Sequence, residues 1–195
     1  MMVNEIMIRT VRPEDAAQIA EIYRPYVEHT AITFEYKAPD ADEIRRRIRN
    51  TLKKYPFLAA YDAGTILGYA YAGPFKERNA YDRSVEVSVY LDENCRGRGI
   101  GRTLYGELER ILTRQNIINL YACIAYPEKE DEYLTKGSVR FHEKMGYALA
   151  GEFHKCGYKF GRWYNMVWME KMIGIHPDQP ADVIPFAKLR QTAEK

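Results

Sequence analysis

The sequence predicts an α/β (α+β) domain with a mixed, mainly antiparallel central sheet flanked by helices. Alternating strands and amphipathic helices succeed one another in the order β-α-α-β-β-β-α-β-α-β-β from residue 6 to about residue 172. At least two strand pairs are joined by turns too short for a crossover helix, which forces antiparallel pairing. The 195 residues, 46% apolar and 29% charged, form an ordinary globular mixture. A chain of this length buries roughly 70% of its unfolded surface without needing a disulfide or a metal.

Ile6-Met7-Ile8-Arg9-Thr10-Val11 alternates weakly and reads as the first strand. Pro13, Glu14 and Asp15 suit the positive end of a helix whose buried stripe is Ile19, Ile22, Tyr23 and Tyr26. Ile44, Ile48, Thr51, Leu52 and Tyr55 repeat that spacing, with Arg45, Arg46, Arg47 and Arg49 on the solvated faces. Residues 57–61 and 65–72 form a hairpin about Asp62-Ala63-Gly64. A loop over 73–82 leads to a strand with Val85, Val87, Val89 and Leu91 on one face and Glu86, Ser88 and Tyr90 on the other. Then come a glycine-rich turn, a helix carrying Leu104, Leu108, Ile111 and Leu112, and a strand over 120–126. Ser138 reads as the cap of a short helix over 139–145 that ends at Gly146. Phe153, residues 157–160 and residues 167–169 close the sheet as antiparallel strands around Gly161. From Ile173 the pattern dissolves around Pro177, Pro180 and Pro185, a C-terminal arm (173–195) that docks on the 1–172 domain or stays mobile.

Twenty-nine basic residues against 27 acidic ones give a net charge of +2, too balanced for binding driven by electrostatics to nucleic acid or membrane. No apolar run approaches the roughly 18 residues of a membrane span. Residues 1–12 lack a continuous apolar segment, so a secretory signal is not expected. Cys95, Cys123 and Cys156 are odd in number and widely spaced, which reads as reduced thiols in a cytoplasmic protein with no metal site. Sixteen tyrosines suit half-exposed strands beside a wet cleft. The seven methionines and the pair Trp163 and Trp168 read as core.

Arg96-Gly97-Arg98-Gly99-Ile100-Gly101 is the most informative segment. Its glycines let backbone N–H groups approach a ligand, and the following helix aims its positive end at them. That device suits a phosphate, above all a diphosphate; without a ligand it would be only a flexible turn. A Walker A loop needs Lys-Ser or Lys-Thr after Gly101, and a dinucleotide fingerprint needs Gly-x-Gly-x-x-Gly after the first strand of a parallel unit; neither is present.

What does match is Arg/Gln-x-x-Gly-x-Gly/Ala between strand and helix. The chain thereby resembles the GNAT N-acetyltransferases, and the element order is similar to theirs over residues 6 to about 172. A narrower resemblance, to the phosphinothricin and methionine sulfoximine acetyltransferases, lies in Tyr71-Ala72-Gly73-Pro74-Phe75-Lys76-Glu77-Arg78-Asn79-Ala80-Tyr81-Asp82 and Val85-Glu86-Val87-Ser88-Val89-Tyr90. It continues in Tyr55-Pro56-Phe57-Leu58, in His142-Glu143-x-x-Gly146-Tyr147 and in Gly157-Tyr158-Lys159-Phe160-Gly161-Arg162-Trp163.

The resemblance implies an acetyl-CoA-dependent transferase without metal, acting by direct attack of a small amino-acid-like amine. Such an amine must lose a proton before it attacks a thioester. The resemblance gives that task to Glu86, which on pattern alone is equally a solvent-facing strand residue. It gives coenzyme contacts to Val89, Tyr90, Leu91, Arg96, Gly97, Arg98, Gly99, Ile100, Gly101 and Arg102, with the Val89 N–H polarising the thioester. Acceptor contacts fall to Phe34, Lys76, Glu77, Arg78, Tyr81, Glu86 and Ser88, where Lys76 and Arg78 suit an anionic amino acid and are otherwise surface charge. His142 replaces a tyrosine that in many GNAT enzymes protonates the leaving thiolate; it is either that acid or packing. A homodimer through the C-terminal strands is a further expectation of the likeness. One departure stands out: Pro127-Glu128 replaces Pro-Asn, and residues 129–137 form an acidic insertion able to cover the cleft. Transfer to a peptide or polyamine, or an acyl-CoA-binding module without activity, are the alternatives.

Overall fold

One seven-stranded sheet organises the computed structural model, which describes residues 6–193. Residues 1–5, part of the stretch read for a leader, and 194–195, the end of the arm, lie outside the described residues. The strands are β1 (Met7–Thr10), β2 (Phe57–Asp62), β3 (Thr65–Pro74), β4 (Ser84–Leu91), β5 (Asn119–Tyr126), β6 (Ala148–Lys159) and β7 (Arg162–Met172). They lie in the order β1-β2-β3-β4-β5-β7-β6, and only β4 and β5 run parallel.

Helices cover both faces because β2 is apolar on both. Phe57 and Ala59 meet α1 (Ala16–His29) and α2 (Ala41–Lys54); Leu58 and Ala60 join the core under α3 (Ile100–Arg114). The Asp40 carboxylate starts α2 by accepting the Glu43 N–H at 2.8 Å. On the first face Tyr23, Tyr26 and Tyr69 are buried and pack around Tyr90. Tyr23 and Tyr26 hold the buried stripe expected of them, whereas Tyr69, a strand tyrosine expected to be half-exposed, is core because two helices cover that face.

The arm docks. Ile173 N–H donates to Ile118 O (2.9 Å), Ile184 N–H to Gln115 O (3.0 Å), and Arg83 donates to the carbonyls of Pro180 and Ala181. It ends in α5 (Phe186–Ala193), anchored by Phe186 in the core beneath α3. Only Phe186 and Leu189, three residues apart, face the core from that helix, too short an apolar stripe to announce it in the sequence.

Three local expectations need correction. Ser138 does not cap its helix: α4 spans Gly137–Lys144, so Ser138 lies inside its first turn. Trp163 is not core; it is 62% exposed beside Tyr158 at the tip of the β6–β7 hairpin. The closing strands are much longer than the sequence pattern implied. β6 is an edge strand with most residues exposed and two register shifts, so no alternation marks it.

Candidate active site

β4 and β5 are eight residues each yet pair only from Ser84–Asn119 to Glu86–Tyr121. Beyond that they part, leaving a slot of about 50 Å³ lined by residues 87–90 and 122–125. The backbone of β4 is available inside it. Tyr26 Oη donates to Leu91 O (2.7 Å) and accepts the Leu91 N–H (3.2 Å), so Leu91 turns its polar groups away from β3. Alternation along an antiparallel strand puts the Val89 N–H and C=O on that same side, facing the slot.

A wider groove of about 380 Å³ continues from the slot and shares Ile32, Val89 and Ser138 with it. Its far end is the glycine turn, at Arg96, Gly97 and Gly101. Gly97 (φ 77°) and Gly99 (φ 80°) hold left-handed backbone, and a Cβ on either would meet nothing, so the turn is open. Gly99 is the N-cap of α3 and makes no side-chain cap bond, which leaves the first N–H groups of that helix open to an anion. Gly101 has a second reason to be glycine: its Cβ would press on Phe141 at 3.3 Å. The Ile100 side chain is core, so only its backbone is available to a ligand. Arg96 lies over the Tyr26 ring, Arg98 reaches Cys95 Sγ at 3.7 Å, and Arg102 is exposed.

Glu86 shares a sheet face with Ser88 and Tyr90 and stands opposite Gly73 in register. It is half-buried, and burial raises its pKa above the ordinary carboxylate value while the Lys76 charge opposes that rise. Lys76 is held near by an aromatic group: its ammonium sits 5.1 Å from the Phe75 ring centre and 5.6 Å from Trp168, and Phe75 stacks on Tyr121 at 4.2 Å. Tyr81 meets the edge of Phe75, and Ser88 lies against the Tyr71 hydroxyl. Glu77 and Arg78 are exposed on the loop. Phe34 packs instead on Gly157, where a Cβ would be 2.3 Å away, and on Tyr164.

His142, 4% exposed, lines the slot with both nitrogens engaged. Ser138 O can only accept, so Nδ1 carries a proton and donates to it (2.8 Å); Nε2 then accepts the Tyr105 hydroxyl (3.1 Å). Burial lowers the imidazole pKa and favours this neutral form. The resting ring has no spare N–H for a leaving sulfur.

Cys123 is open to the cleft, but the apolar walls and the Glu86 charge push its thiol up to about 12. It stays protonated near neutral pH and is a poor nucleophile, which weighs against an acyl-cysteine intermediate.

The insertion at 129–137 folds onto the cleft. Asp131 accepts N–H bonds from Tyr133 and Leu134 and an O–H bond from Tyr164, and it pairs with Arg162 at 2.9 Å. Tyr133 stacks on Phe160 at 4.4 Å, and its carbonyl accepts the Ala31 N–H. Leu134, Ile32, Tyr105, Tyr26, Phe141 and Ser138 are among the cleft residues without a site role in the sequence reading. For Tyr26 the helical spacing was seen but read only as core; a tyrosine in such a stripe brings a hydroxyl needing a partner.

Among known proteins, residues 8–168 match the family described as acetyltransferase (GNAT) domain. A phosphinothricin N-acetyltransferase of Streptomyces viridochromogenes is 31% identical over 94% of this chain and 96% of its own. The L-methionine sulfoximine/L-methionine sulfone acetyltransferase of Salmonella typhimurium is 29% identical over 87% of this chain and 95% of its own. A crystal structure of a phosphinothricin acetyltransferase from Sinorhizobium meliloti in complex with AcCoA superposes with a TM-score of 0.83 at 31% identity, covering 94% of this chain and 97% of that one. With the family match spanning most of its length, the chain belongs to the GNAT acetyltransferases.

Proposed function

We propose that this acetyltransferase takes its acetyl group from acetyl-CoA and gives it to the amine of a small anionic amino acid of the phosphinothricin or methionine sulfoximine kind. One observation carries the reading: the groove runs from the open N–H groups after Gly97 and Gly99 into a slot that ends beside Ser88, on the Glu86 face. A diphosphate at the turn delivers the thioester to the slot, where the Val89 N–H polarises its carbonyl. Glu86, as the carboxylate, takes the amine proton directly or through a water, and the neutral amine attacks. The tetrahedral intermediate breaks its carbon–sulfur bond, CoA leaves as the thiolate, and the second nitrogen proton passes to that thiolate or to water. His142 is a positioning residue that fixes the Tyr105 hydroxyl and the first turn of α4. Lys76 offers the acceptor's carboxylate a cation and disfavours a polyamine. Phe34 acts from behind, by seating the loop after α1 on β6.

Two further parts of the reading concern setting. The edge strand β6 is twelve residues long and carries exposed Leu149 and Phe153, with Tyr158 and Trp163 at its hairpin tip. Such an edge is covered by a second copy of the chain in a homodimer. Three unpaired cysteines and a coenzyme donor fit the cytoplasm, and no helix among the described residues is long and apolar enough to cross a membrane.

The test is thiol release from acetyl-CoA with a panel of phosphinothricin, methionine sulfone, protein amino acids, peptides and spermidine. Turnover confined to small amino acids supports the reading. Turnover with peptides or spermidine alone overturns the acceptor class, and no turnover with any amine favours a silent binding module.

A further inference from the structure

The slot between β4 and β5 is narrow, and part of its lining comes from outside the sheet: Ile32, Leu134, Tyr105, Ser138 and His142. We infer that Leu134, with Ile32 beside it, fixes the length of acyl chain the enzyme accepts, admitting an acetyl thioester and refusing a butyryl one. This rests on the reading of the groove as the acyl-CoA site.

Size is the first support. The slot holds about 50 Å³, room for about two waters, which is the scale of the few heavy atoms of an acetyl group. Apart from Ile124, the β5 wall of the slot carries only small side chains, Ala122, Cys123 and Ala125. Off the sheet, Tyr105 and His142 are tied to each other by a hydrogen bond, and the remaining bulk comes from side chains on two loops: Ile32 after α1, and Leu134 in the 129–137 insertion.

Those two differ in freedom. Ile32 is 36% exposed and has open space to turn into. Leu134 is 2% exposed and packs in a small core with Ala31, Ala125 and Tyr164. Its N–H donates to Asp131 Oδ1 (2.9 Å) and its carbonyl accepts the Asp131 N–H (3.0 Å). Asp131 in turn is tied to Tyr164 Oη (3.0 Å) and to Arg162 (2.9 Å). Backing Leu134 out of the slot would break this network, so it acts as a fixed stop and Ile32 as a yielding one. The insertion therefore does more than cover the cleft; it contributes a wall at the reacting end of the coenzyme.

Calorimetric titration with CoA, acetyl-CoA, propionyl-CoA and butyryl-CoA tests this without knowledge of the acceptor. A misfit methylene in a fitted pocket discriminates by about tenfold or more. Wild type is expected to prefer acetyl-CoA to butyryl-CoA by at least about tenfold, and Leu134→Ala to erase most of that preference by gaining butyryl-CoA while holding CoA itself unchanged. Leu134→Val, which keeps the small core largely filled, should gain propionyl-CoA alone, and it serves if the alanine variant does not fold. Equal wild-type affinity for acetyl- and butyryl-CoA overturns the inference while leaving the coenzyme site intact, as does a proportional loss of every ligand in both variants. Failure of any CoA species to bind wild type overturns the site reading and this inference with it.

Discussion

The two ends of the cleft are built from different materials. At the end proposed for the coenzyme the groups facing the groove are backbone: the open N–H groups after Gly97 and Gly99, and the Val89 N–H in the gap between β4 and β5. At the acceptor end they are side chains, Glu86, Lys76 and Ser88, held by aromatic contacts from several strands. A backbone site depends on chain geometry and tolerates most sequence change; a side-chain site changes its ligand with each substitution. A fixed donor and a variable acceptor are what such a division would serve.

Substituting the acceptor end should produce the largest effect on rate and none on the donor. Glu86→Gln is expected to lower kcat by about 10²–10⁴-fold while acetyl-CoA titrates as in wild type. Equal rates at saturating substrates would remove Glu86 from the proton transfer. The reverse pattern is expected of Gly99→Val. A β-branched residue at φ 80° carries about 1–3 kcal/mol of strain and blocks the close approach, so coenzyme affinity should fall by about tenfold or more. An unchanged titration in a folded variant would take the diphosphate away from this turn.

His142 sharpens the contrast between positioning and chemistry. Its loss in His142→Ala leaves the fully buried Tyr105 hydroxyl without its acceptor, at a cost of about 1–3 kcal/mol. Thermal unfolding should show that destabilisation, while the basic limb of the pH–rate profile stays where it is. A shift or loss of that limb would return the imidazole to the mechanism as an acid.

The smallest effect belongs to Lys76→Met. Glu86 must be ionised to accept a proton, so the rate rises with pH through its pKa. Burial raises that pKa and the Lys76 charge holds it down. Without the cation the pKa rises further, and the acid limb of kcat/KM should move to higher pH. An acid limb that stays where it is would mean that Lys76 does not act on Glu86.

How much the sequence disclosed follows the same division. Gly97 and Gly99 announce themselves because left-handed backbone selects glycine, so the open turn before α3 was legible in the sequence. Glu86 was visible as the acid interrupting a valine alternation. Lys76 was visible as charge, but its placement depends on Phe75 stacking across to Tyr121 and Trp168, which spacing along one chain does not reveal. Phe34 packs against Gly157 and Tyr164 on the β6–β7 hairpin, contacts that spacing along one chain likewise does not reveal. Leu134 stood in an insertion read by its charges, and the one apolar residue that turns inward was lost among them. β6 escaped the periodicity test for a physical reason: an edge strand open on both faces has no buried side to alternate with.

A crystal soaked with acetyl-CoA tests the central claim most directly. The diphosphate is expected against the backbone N–H groups of residues 97–101, with the thioester carbonyl at the Val89 N–H and the acetyl group beside Leu134. A nucleotide lodged elsewhere, with that turn bare and the gap between β4 and β5 unfilled, would contradict the account.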